Sequence, residues 1–249
     1  MTEARFASHV HSEWSDDASW PLHELREAFR RRGYVGALMC EHDRGFTADR
    51  WGEYREECAR FSDDEFLLVP GIEYGDGDNV VHLPVWGDLP FLGEGRDPGQ
   101  LLADVNEAGG LAVFAHPWRS DAWMRFDPAW AQLLIALEVW NRKYDGVAPD
   151  RRAHRLAERH VLPAFVALDF HTSRQFFPLA TRFELSNGLS EQATLEALRS
   201  GRWRPEFLGR SALAFTGGMP GAFLRGLERA RRVGRRLRLG TLIRERRVR

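Results

Sequence analysis

Short apolar runs alternate with amphipathic stretches along most of the chain. Seven runs have the composition of buried strands and lie near residues 6–11, 35–41, 66–73, 80–86, 111–115, 135–140 and 163–169. Between them, five segments place apolar residues at helical spacing, near residues 21–32, 47–61, 98–108, 150–160 and 190–200. Because strands and helices alternate in this order, the pattern predicts an α/β fold of the kind that forms barrels.

Length and composition are those of a single folded domain. With 249 residues, of which 43% are hydrophobic, the chain can bury one sizeable core, and α/β barrels commonly have this length. The first residues lack a basic stretch followed by an apolar one, and no run of about 18 apolar residues occurs, so we expect a cytoplasmic protein. The two cysteines, Cys40 and Cys58, predict no disulfide framework.

Charge is distributed unevenly along the chain, although the formal net charge at pH 7 is only −1. Residues 206–249 contain 12 arginines against three glutamates, a net charge of plus nine, so residues 1–205 carry about minus ten. Leucines and arginines interleave from Gly221 to Arg249, which is typical of a basic amphipathic helix. We therefore divide the chain into an α/β barrel, residues 1–205, and a basic C-terminal extension, residues 206–249, which is predicted to be helical.

The basic extension is open to three interpretations. Such a helix can bind nucleic acid, lie on an anionic membrane, or pack its apolar stripe against the acidic barrel. Packing is favoured, because Leu224, Leu227 and Leu237 require burial and the acidic barrel offers the arginines a partner. The sequence does not indicate an oligomeric state.

Nine residues of metal-ligand type lie at or near the downstream ends of the predicted strands. They are six histidines and three carboxylates: His9, His11, Asp16, His42, Glu73, His82, His116, Asp169 and His171. Imidazole and carboxylate groups bind zinc, manganese and iron, and one carboxylate can bridge two ions, so nine groups can hold up to three ions. Strand side chains alternate between faces, so His9 and His11 project to one side, as do Asp169 and His171.

The motifs that carry these residues resemble those of the polymerase and histidinol phosphatase (PHP) family of metal-dependent phosphoesterases. Residues 9–17 read His-Val-His-Ser-Glu-Trp-Ser-Asp-Asp and match the family segment His-x-His-Ser-x-x-Ser-Asp-Gly, except that Asp17 replaces the glycine. The family's Thr-Asp-His occurs as Cys40-Glu41-His42. The remaining motifs follow in family order within a match that spans about residues 6 to 203: Pro70–Glu73, His82-Leu83, Ala115–Pro117, Glu138–Asn141 and Asp169–His171.

The resemblance implies a distorted seven-stranded β/α barrel with a trinuclear metal site. Carried over position by position, it gives a first ion held by His9, His11, Glu73 and Asp169, a second held by Glu73, His82 and His116, and a third held by Asp16, His42 and His171. The expected cofactors are therefore up to three divalent transition metal ions: zinc, manganese or iron. Glu138, in the Glu-x-x-Asn motif, either orients a ligand histidine or has a structural role.

Closely spaced divalent ions suit phosphoester hydrolysis, because they acidify a bound water and neutralise charge on the leaving oxygen. We therefore expect a metal-dependent phosphoesterase in which a metal-bridging hydroxide attacks a small phosphorylated metabolite or a nucleotide. The residues expected to take part in catalysis are Glu73, Asp169, His171 and Arg119. Two alternatives stay open: a nuclease that acts on short nucleic acids, with the extension as an anchor, and a non-catalytic metal-binding scaffold.

Candidate substrate-binding cations follow two of the histidine motifs. Arg119 lies just past Ala-His-Pro and Arg174 just past Asp-x-His, and a guanidinium can hold two phosphate oxygens at once. Lys143, the only lysine in the chain, is interpreted as a solvated loop residue. Four tryptophans are expected in loops that border the site, where they either pack or stack on a nucleobase: Trp14, Trp20, Trp118 and Trp123.

Overall fold

The predicted alternation of strands and helices is found in the structure, which is a mixed α/β fold. The computed structural model describes the backbone of residues 1–247 and the side chains of residues 1–235. The α-helices of this part of the chain are α1 Leu22–Arg30, α2 Ala48–Arg60, α3 Pro98–Glu107, α4 Arg151–Arg159, α5 Glu191–Arg199 and α6 Gly218–Arg247. The first five coincide with the five predicted helical segments.

The strands of the described residues form two six-stranded sheets. Their bounds are β1 Thr2–Val10, β2 Gly36–Met39, β3 Glu41–His42, β4 Leu67–Val69, β5 Gly71–Gly75, β6 His82–Trp86, β7 Leu111–Phe114, β8 Ala136–Asn141, β9 Ala164–Ala167, β10 Leu179–Leu185, β11 Trp203–Phe207 and β12 Arg210–Ser211. The first sheet has the order β12-β11-β10-β1-β2-β4, and the second has the order β3-β5-β6-β7-β8-β9.

Two chain segments pass from the first sheet to the second at single-residue bends. Cys40 lies between β2 and β3, and Pro70 lies between β4 and β5. The paired strands are parallel in both sheets, β2 with β4 and β3 with β5. After β9 the chain returns to the end of β1, where Phe170 N donates to His9 O at 3.0 Å and His11 N donates to Phe170 O at 2.9 Å. The sheets are thus joined on both sides, which brings the ends of β1, β3, β5 and β9 together.

The apolar pattern of the sequence predicts none of the last three strands. In β10 the buried Phe183 and Leu185 alternate with the less buried Arg182 and Glu184, so this strand has a half-exposed pattern rather than a continuous apolar run. It pairs antiparallel with β1, and β11 pairs antiparallel with β10. The predicted α/β class is confirmed. The seven-stranded barrel stays a prediction, because the ladders of the described residues define two sheets.

Successive strand residues belong to different apolar clusters. Leu38 of β2 packs in one cluster with Phe6 and Val69, whereas the adjacent Met39 packs in a second cluster that includes Leu25 of α1. The strands are therefore buried on both faces, as expected of a sheet covered by helices. The predicted site residues His9, His42 and His82 lie at or next to the ends of β1, β3 and β6.

Helix α6 covers Gly218–Arg247 of the basic extension and packs against the loop that follows β8, whereas residues 206–207 end β11 and residues 210–211 form β12. Leu224 is buried, and Glu228 accepts a hydrogen bond from Val147 N at 3.1 Å. Leu227 is 45% exposed, so the apolar stripe is only partly covered, and the side chain of Leu237 lies outside the described residues. The predicted boundary between residues 205 and 206 falls inside β11. Neither α6 nor another helix in residues 1–247 is long and apolar enough to cross a membrane.

Glu228 joins α6 to this loop by charge as well as by hydrogen bonding. Its carboxylate accepts from Arg231 at 2.7 Å and from Arg232 at 2.6 Å, and its side chain is 8% exposed. Burial tends to raise the pKa of this carboxyl, but hydrogen bonds from the two arginines outweigh burial and lower the pKa to about 2. The charge of Glu228 therefore stabilises the fold above the ordinary pKa of 4.5, and this contribution is lost as the pH falls toward 2.

We therefore expect Glu228→Gln to reduce the free energy of unfolding by roughly 1–3 kcal/mol at pH 7 and by much less near pH 2. Urea unfolding at the two pH values measures the difference. Glu196→Gln is the matched control, because the Glu196 side chain is 56% exposed and pairs only with surface arginines. A destabilisation by Glu228→Gln that does not depend on pH would contradict the expectation.

Candidate metal centre

The strand ends bring eight of the nine predicted ligands into one buried cluster. Strands β1, β3, β5 and β6 carry four of them, and the segments after β1, β7 and β9 carry the others. The buried residues, each at most 7% exposed, are His9, His11, His42, Glu73, His82, His116, Asp169 and His171. The ninth, Asp16, lies at the rim of the cluster, where its side chain is 53% exposed.

Three of these residues have an irregular backbone conformation, which sets the direction of their side chains. His9, His116 and Asp169 have positive φ angles of 60°, 25° and 48°. The ladder between β1 and β2 shifts register between Ser8 and Val10, which makes a bulge at His9 and redirects the side chains that follow it. Each positive φ at a residue other than glycine costs about 1–3 kcal/mol, and such strain concentrates at functional sites.

Glu73 lies at the centre of the cluster. Its carboxylate is faced by His9 Nε2 at 3.2 Å, His11 Nε2 at 3.5 Å, His42 Nδ1 at 3.2 Å, His82 Nδ1 at 2.9 Å and His116 Nε2 at 3.0 Å. The first, fourth and fifth of these nitrogens face Oε1, and the other two face Oε2. One carboxylate with imidazoles on both oxygens is the arrangement expected of a ligand that bridges two cations.

Asp169 is the second buried carboxylate of the cluster. Its Oδ1 lies 3.3 Å from His171 Nδ1, and its Oδ2 lies 3.8 Å from His116 Nε2. Asn141 Nδ2 donates a hydrogen bond to Oδ2 at 3.1 Å, which fixes the orientation of the carboxylate. Oδ1 of Asp169 therefore faces His171, and Oδ2 faces His116.

Three buried imidazole nitrogens face Glu73 without a hydrogen bond: His9 Nε2, His11 Nε2 and His82 Nδ1. A buried polar atom without a partner costs about 1–3 kcal/mol, so three of them side by side require an explanation. In His9 the other ring nitrogen, Nδ1, lies 2.7 Å from Glu138 Oε1, so a neutral His9 would keep its proton on Nδ1 and present the Nε2 lone pair to an ion. A carboxylate surrounded by such lone pairs fits divalent metal ions.

Burial and the charges of the cluster shift the pKa values of its members. Burial tends to raise the pKa of Glu73, but the charge of the neighbouring histidines, His9 foremost, lowers it well below its usual range. Burial tends to lower the pKa of His9, but the charges of Glu73, Glu138 and Asp169 raise it well above its usual range. Burial, together with the charge of neighbouring histidines, lowers the pKa of His11 well below its usual range. Glu73 and His11 are therefore in the forms that bind metals, whereas an ion at His9 would displace a ring proton.

Glu138 orients two of the predicted ligands. Its Oε1 accepts a hydrogen bond from His9 Nδ1 at 2.7 Å, and its Oε2 accepts from His116 N at 3.0 Å and from Asn141 Nδ2 at 2.8 Å. Asn141 in turn donates to Asp169. Of the two interpretations that the sequence leaves open for Glu138, these contacts favour orientation of a ligand histidine.

Glu41, which stands where the family has aspartate, orders the N-terminal histidine motif. Its carboxylate accepts from Ser12 N at 3.0 Å, from Ser12 Oγ at 2.7 Å and from Ser15 Oγ at 2.6 Å. Ser15 Oγ also lies 3.1 Å from His11 Nδ1 and accepts from His42 N at 3.0 Å. Through Ser15, Glu41 supports both histidines.

A further group of ligand atoms lies beside this cluster, where His42 Nε2 and His171 Nε2 are 3.5 Å apart. The carboxylate that contacts both is Asp17, whose Oδ1 lies 3.2 Å from His42 Nε2 and 3.1 Å from His171 Nε2. The predicted ligand Asp16 also has an oxygen within reach of an ion at His42, but it pairs with Arg44 at 3.2 Å. Asp17 is thus a candidate ligand that the sequence motifs do not predict.

Three cations line a small cavity of about 50 Å³ beside the cluster, and one of them, Arg44, pairs with Asp16. The second is Arg119, whose Nη1 lies 3.0 Å from His82 Nε2. The third is Lys143, with Nζ 3.1 Å from Asp169 Oδ1 and a side chain that is 25% exposed. Its interpretation as a solvated loop residue is therefore wrong. Arg174 is exposed and does not line this cavity.

The four tryptophans near the site differ in their surroundings. Trp14 packs on Tyr54 with ring centroids 5.5 Å apart, and Trp20 packs edge-on against Phe170. Trp118 and Trp123, in the segment after His116, stack on each other at 5.6 Å with 10° between the ring planes. Packing accounts for the first two rings, whereas the last two form a partly exposed aromatic pair beside the site.

The fold is shared with proteins of known structure. PsfC from Pseudomonas syringae PB-5123 aligns over 91% of this chain and 100% of its own, with a TM-score of 0.63 and 18% identity. The lesion-specific endonuclease PfuEndoQ from Pyrococcus furiosus aligns over 80% of this chain and 56% of its own, with a TM-score of 0.56 and 17% identity. An amidohydrolase from Chromobacterium violaceum, with bound sulfate and no metal, aligns over 78% of this chain and 97% of its own, with a TM-score of 0.51 and 15% identity.

No protein-family model and no curated protein matches the chain. At identities of 15% to 18%, the structural likenesses concern the fold alone. The shared fold supports the resemblance that the sequence motifs bear to the PHP family.

Proposed function

We propose that this protein is a metal-dependent phosphoester hydrolase of the PHP type. The observation that carries the proposal is the convergence of three buried imidazole nitrogens without hydrogen bonds on the carboxylate of Glu73. Directly beside them, Arg119 and Lys143 line a small cavity. Metal ligands and phosphate-binding cations thus meet at one place, which phosphoester hydrolysis requires.

Glu73 is the residue that would hold two ions together. The other residues proposed to bind these ions are His9, His11 and Asp169 for the first, and His82 and His116 for the second. Divalent ions bound here would supply positive charge for the phosphate and acidify a water molecule. His171 belongs to a third position, which makes three the largest number of ions that we propose.

Two of the three cations of the cavity, Arg119 and Lys143, are proposed to hold the phosphate. Arg119 Nε donates to Tyr144 Oη at 3.2 Å and its Nη1 donates to Asn79 O at 2.6 Å, so Nη2 is the nitrogen that would meet a phosphate oxygen. Lys143 approaches from the loop after β8, next to Asp169. A cavity of about 50 Å³ lined by cations suits a terminal phosphate group, so we favour a small phosphorylated metabolite or a mononucleotide as the substrate.

One observation favours a nucleotide over other phosphates. The stacked pair of Trp118 and Trp123 follows the predicted ligand His116 directly and is partly exposed. A base can stack on such a platform with a gain of about 1–3 kcal/mol. A nuclease that acts on short nucleic acids is therefore the second candidate, and a cytoplasmic location is part of the proposal for either one.

We also infer that the site lies at one end of a distorted seven-stranded barrel. If β2 continues into β3 through Cys40, and β4 into β5 through Pro70, seven strands follow each other from β1 to β9. The hydrogen bonds of Phe170 with His9 and His11 then connect the last strand to the first. These contacts support closure, and functional groups of barrels collect at such an end.

The proposed function is tested by activity that depends on added metal. The protein is stripped with a chelator, reloaded separately with zinc, manganese or iron, and assayed on p-nitrophenyl phosphate, phosphorylated metabolites, mononucleotides and oligonucleotides. We expect hydrolysis only after reloading and only of small substrates. Cleavage of oligonucleotides alone would identify a nuclease, and bound metal without hydrolysis of any substrate would identify a scaffold.

We expect Lys143→Met to lower kcat/KM for p-nitrophenyl phosphate about 10- to 100-fold, because a cation facing the phosphate is lost while the aliphatic chain is kept. Arg174→Gln is the matched control, since Arg174 is exposed and does not line the cavity. Metal content measured on both variants separates loss of the phosphate contact from loss of an ion. Equal losses of kcat/KM in the two variants would contradict the assignment.

A further inference from the structure

Asp17, the residue that replaces the family's glycine, contacts two imidazoles at once. Asp17 Oδ1 lies 3.2 Å from His42 Nε2 and 3.1 Å from His171 Nε2. The two nitrogens are themselves 3.5 Å apart. The three atoms therefore form a nearly equilateral triangle.

The size of this triangle fits a shared metal ion. Bonds from zinc to nitrogen and oxygen are about 2.0–2.1 Å long, so two ligands of one tetrahedral ion lie roughly 3.3–3.4 Å apart. The separations of 3.1, 3.2 and 3.5 Å lie on both sides of that value. One shared cation accounts for all three separations together.

Asp16 is engaged elsewhere. Its Oδ1 lies 3.2 Å from Arg44 Nη2, and its side chain is 53% exposed. Arg44 belongs to the loop after β3 and is itself exposed. This contact holds the Asp16 carboxylate at the rim: an Asp16 oxygen lies within 4.8 Å of ligand atoms of Asp17 and His42, but the carboxylate is neutralised by Arg44.

We propose that Asp17, together with His42 and His171, binds the third metal ion, and that Asp16 is a rim residue paired with Arg44. This inference rests on the proposed metal-dependent function. It assigns to Asp17 the ligand role that the family resemblance implies for Asp16.

The exposure of Asp17 has a consequence for metal exchange. Its side chain is 46% exposed, whereas those of the residues proposed for the first two ions are at most 5% exposed. Solvent and chelators therefore reach the third ion first. We expect this ion to leave before the other two as the concentration of chelator rises.

The test compares four full-length proteins: the natural chain, Asp17→Asn, Asp16→Asn and the double variant. Each is loaded with zinc, dialysed against metal-free buffer, and analysed for ions per chain by mass spectrometry and for folding by circular dichroism. We expect Asp17→Asn to hold one ion fewer than the natural chain and Asp16→Asn to hold the same number. The double variant should hold as many ions as Asp17→Asn. Because both of these variants lack the third ion, neither should lose an ion early as chelator is added.

The outcomes separate this inference from the proposed function. If the natural chain binds zinc and Asp17→Asn binds equally many ions, or if Asp16→Asn is the variant that loses one, the assignment of Asp17 is overturned while the metal-dependent function stands. If the natural chain binds no ion, the proposed function fails, and this inference fails with it. A variant that retains the other two ions is folded, so a missing third ion cannot be attributed to misfolding.

Discussion

Replacing Glu73 by glutamine is expected to abolish nearly all hydrolysis. The carboxylate is faced by five imidazoles, through both of its oxygens, and is 1% exposed. An amide has the same shape but carries no charge and offers only one acceptor oxygen, so it cannot bridge two ions. We expect kcat/KM to fall about 10³-fold or more, which corresponds to ~4 kcal/mol of transition-state stabilisation. Steady-state kinetics on p-nitrophenyl phosphate with added metal measures the loss.

The control for this variant is a carboxylate outside the cluster. Asp78 is 71% exposed and pairs with Arg125 at 2.9 Å, so Asp78→Asn removes one negative charge near the site without touching a proposed ligand. We expect its kcat/KM to stay within about twofold of the natural chain, because surface ion pairs contribute little. Turnover of Glu73→Gln close to that of Asp78→Asn would rule out a bridging carboxylate.

Periodicity predicted the elements of the fold better than their assembly. The five helical segments and the seven apolar runs correspond to elements of the structure, because continuous burial leaves a strong hydrophobic pattern. β10 was missed because Arg182 and Glu184 interrupt its apolar residues. At Cys40 and at Pro70, one apolar run is divided into two strands that belong to different sheets. The apolar pattern does not predict these breaks, because they depend on pairing with strands that are distant in sequence.

The buried part of the site could be predicted, and the rim could not. Ligand residues such as Glu73 occur in recognisable motifs, since the chemistry restricts the residue type at each position. The positive φ angles of His116 and Asp169, which aim these side chains, come from tertiary contacts that no motif records. Asp17 and Lys143 reach the site from loops, where spacing does not determine direction. Each did have a signal, Asp17 as the replacement of a glycine and Lys143 as the only lysine of the chain.

The largest effect expected outside the ligands themselves is that of Glu138→Gln. The Glu138 carboxylate accepts three hydrogen bonds, from His9 Nδ1 on one oxygen and from His116 N and Asn141 Nδ2 on the other. A glutamine amide has one acceptor oxygen and one donor group, so in either orientation a donor faces a donor. If the amide nitrogen faces His9, the ring proton moves to Nε2, and the lone pair that faces Glu73 is lost.

We therefore expect Glu138→Gln to weaken metal binding about 10- to 100-fold, or roughly 1.4–2.7 kcal/mol, with a smaller loss of activity once metal is saturating. Competition with a chelator of known affinity measures the first effect, and kinetics at increasing metal concentration measures the second. Glu206→Gln is the matched control, because Glu206 is a buried glutamate, 4% exposed, that accepts from Arg5 and Arg182 away from the cluster. That variant should melt at a lower temperature with unchanged metal affinity. If Glu138→Gln likewise lost stability but kept its metal affinity, Glu138 would be a structural residue and not the group that orients His9.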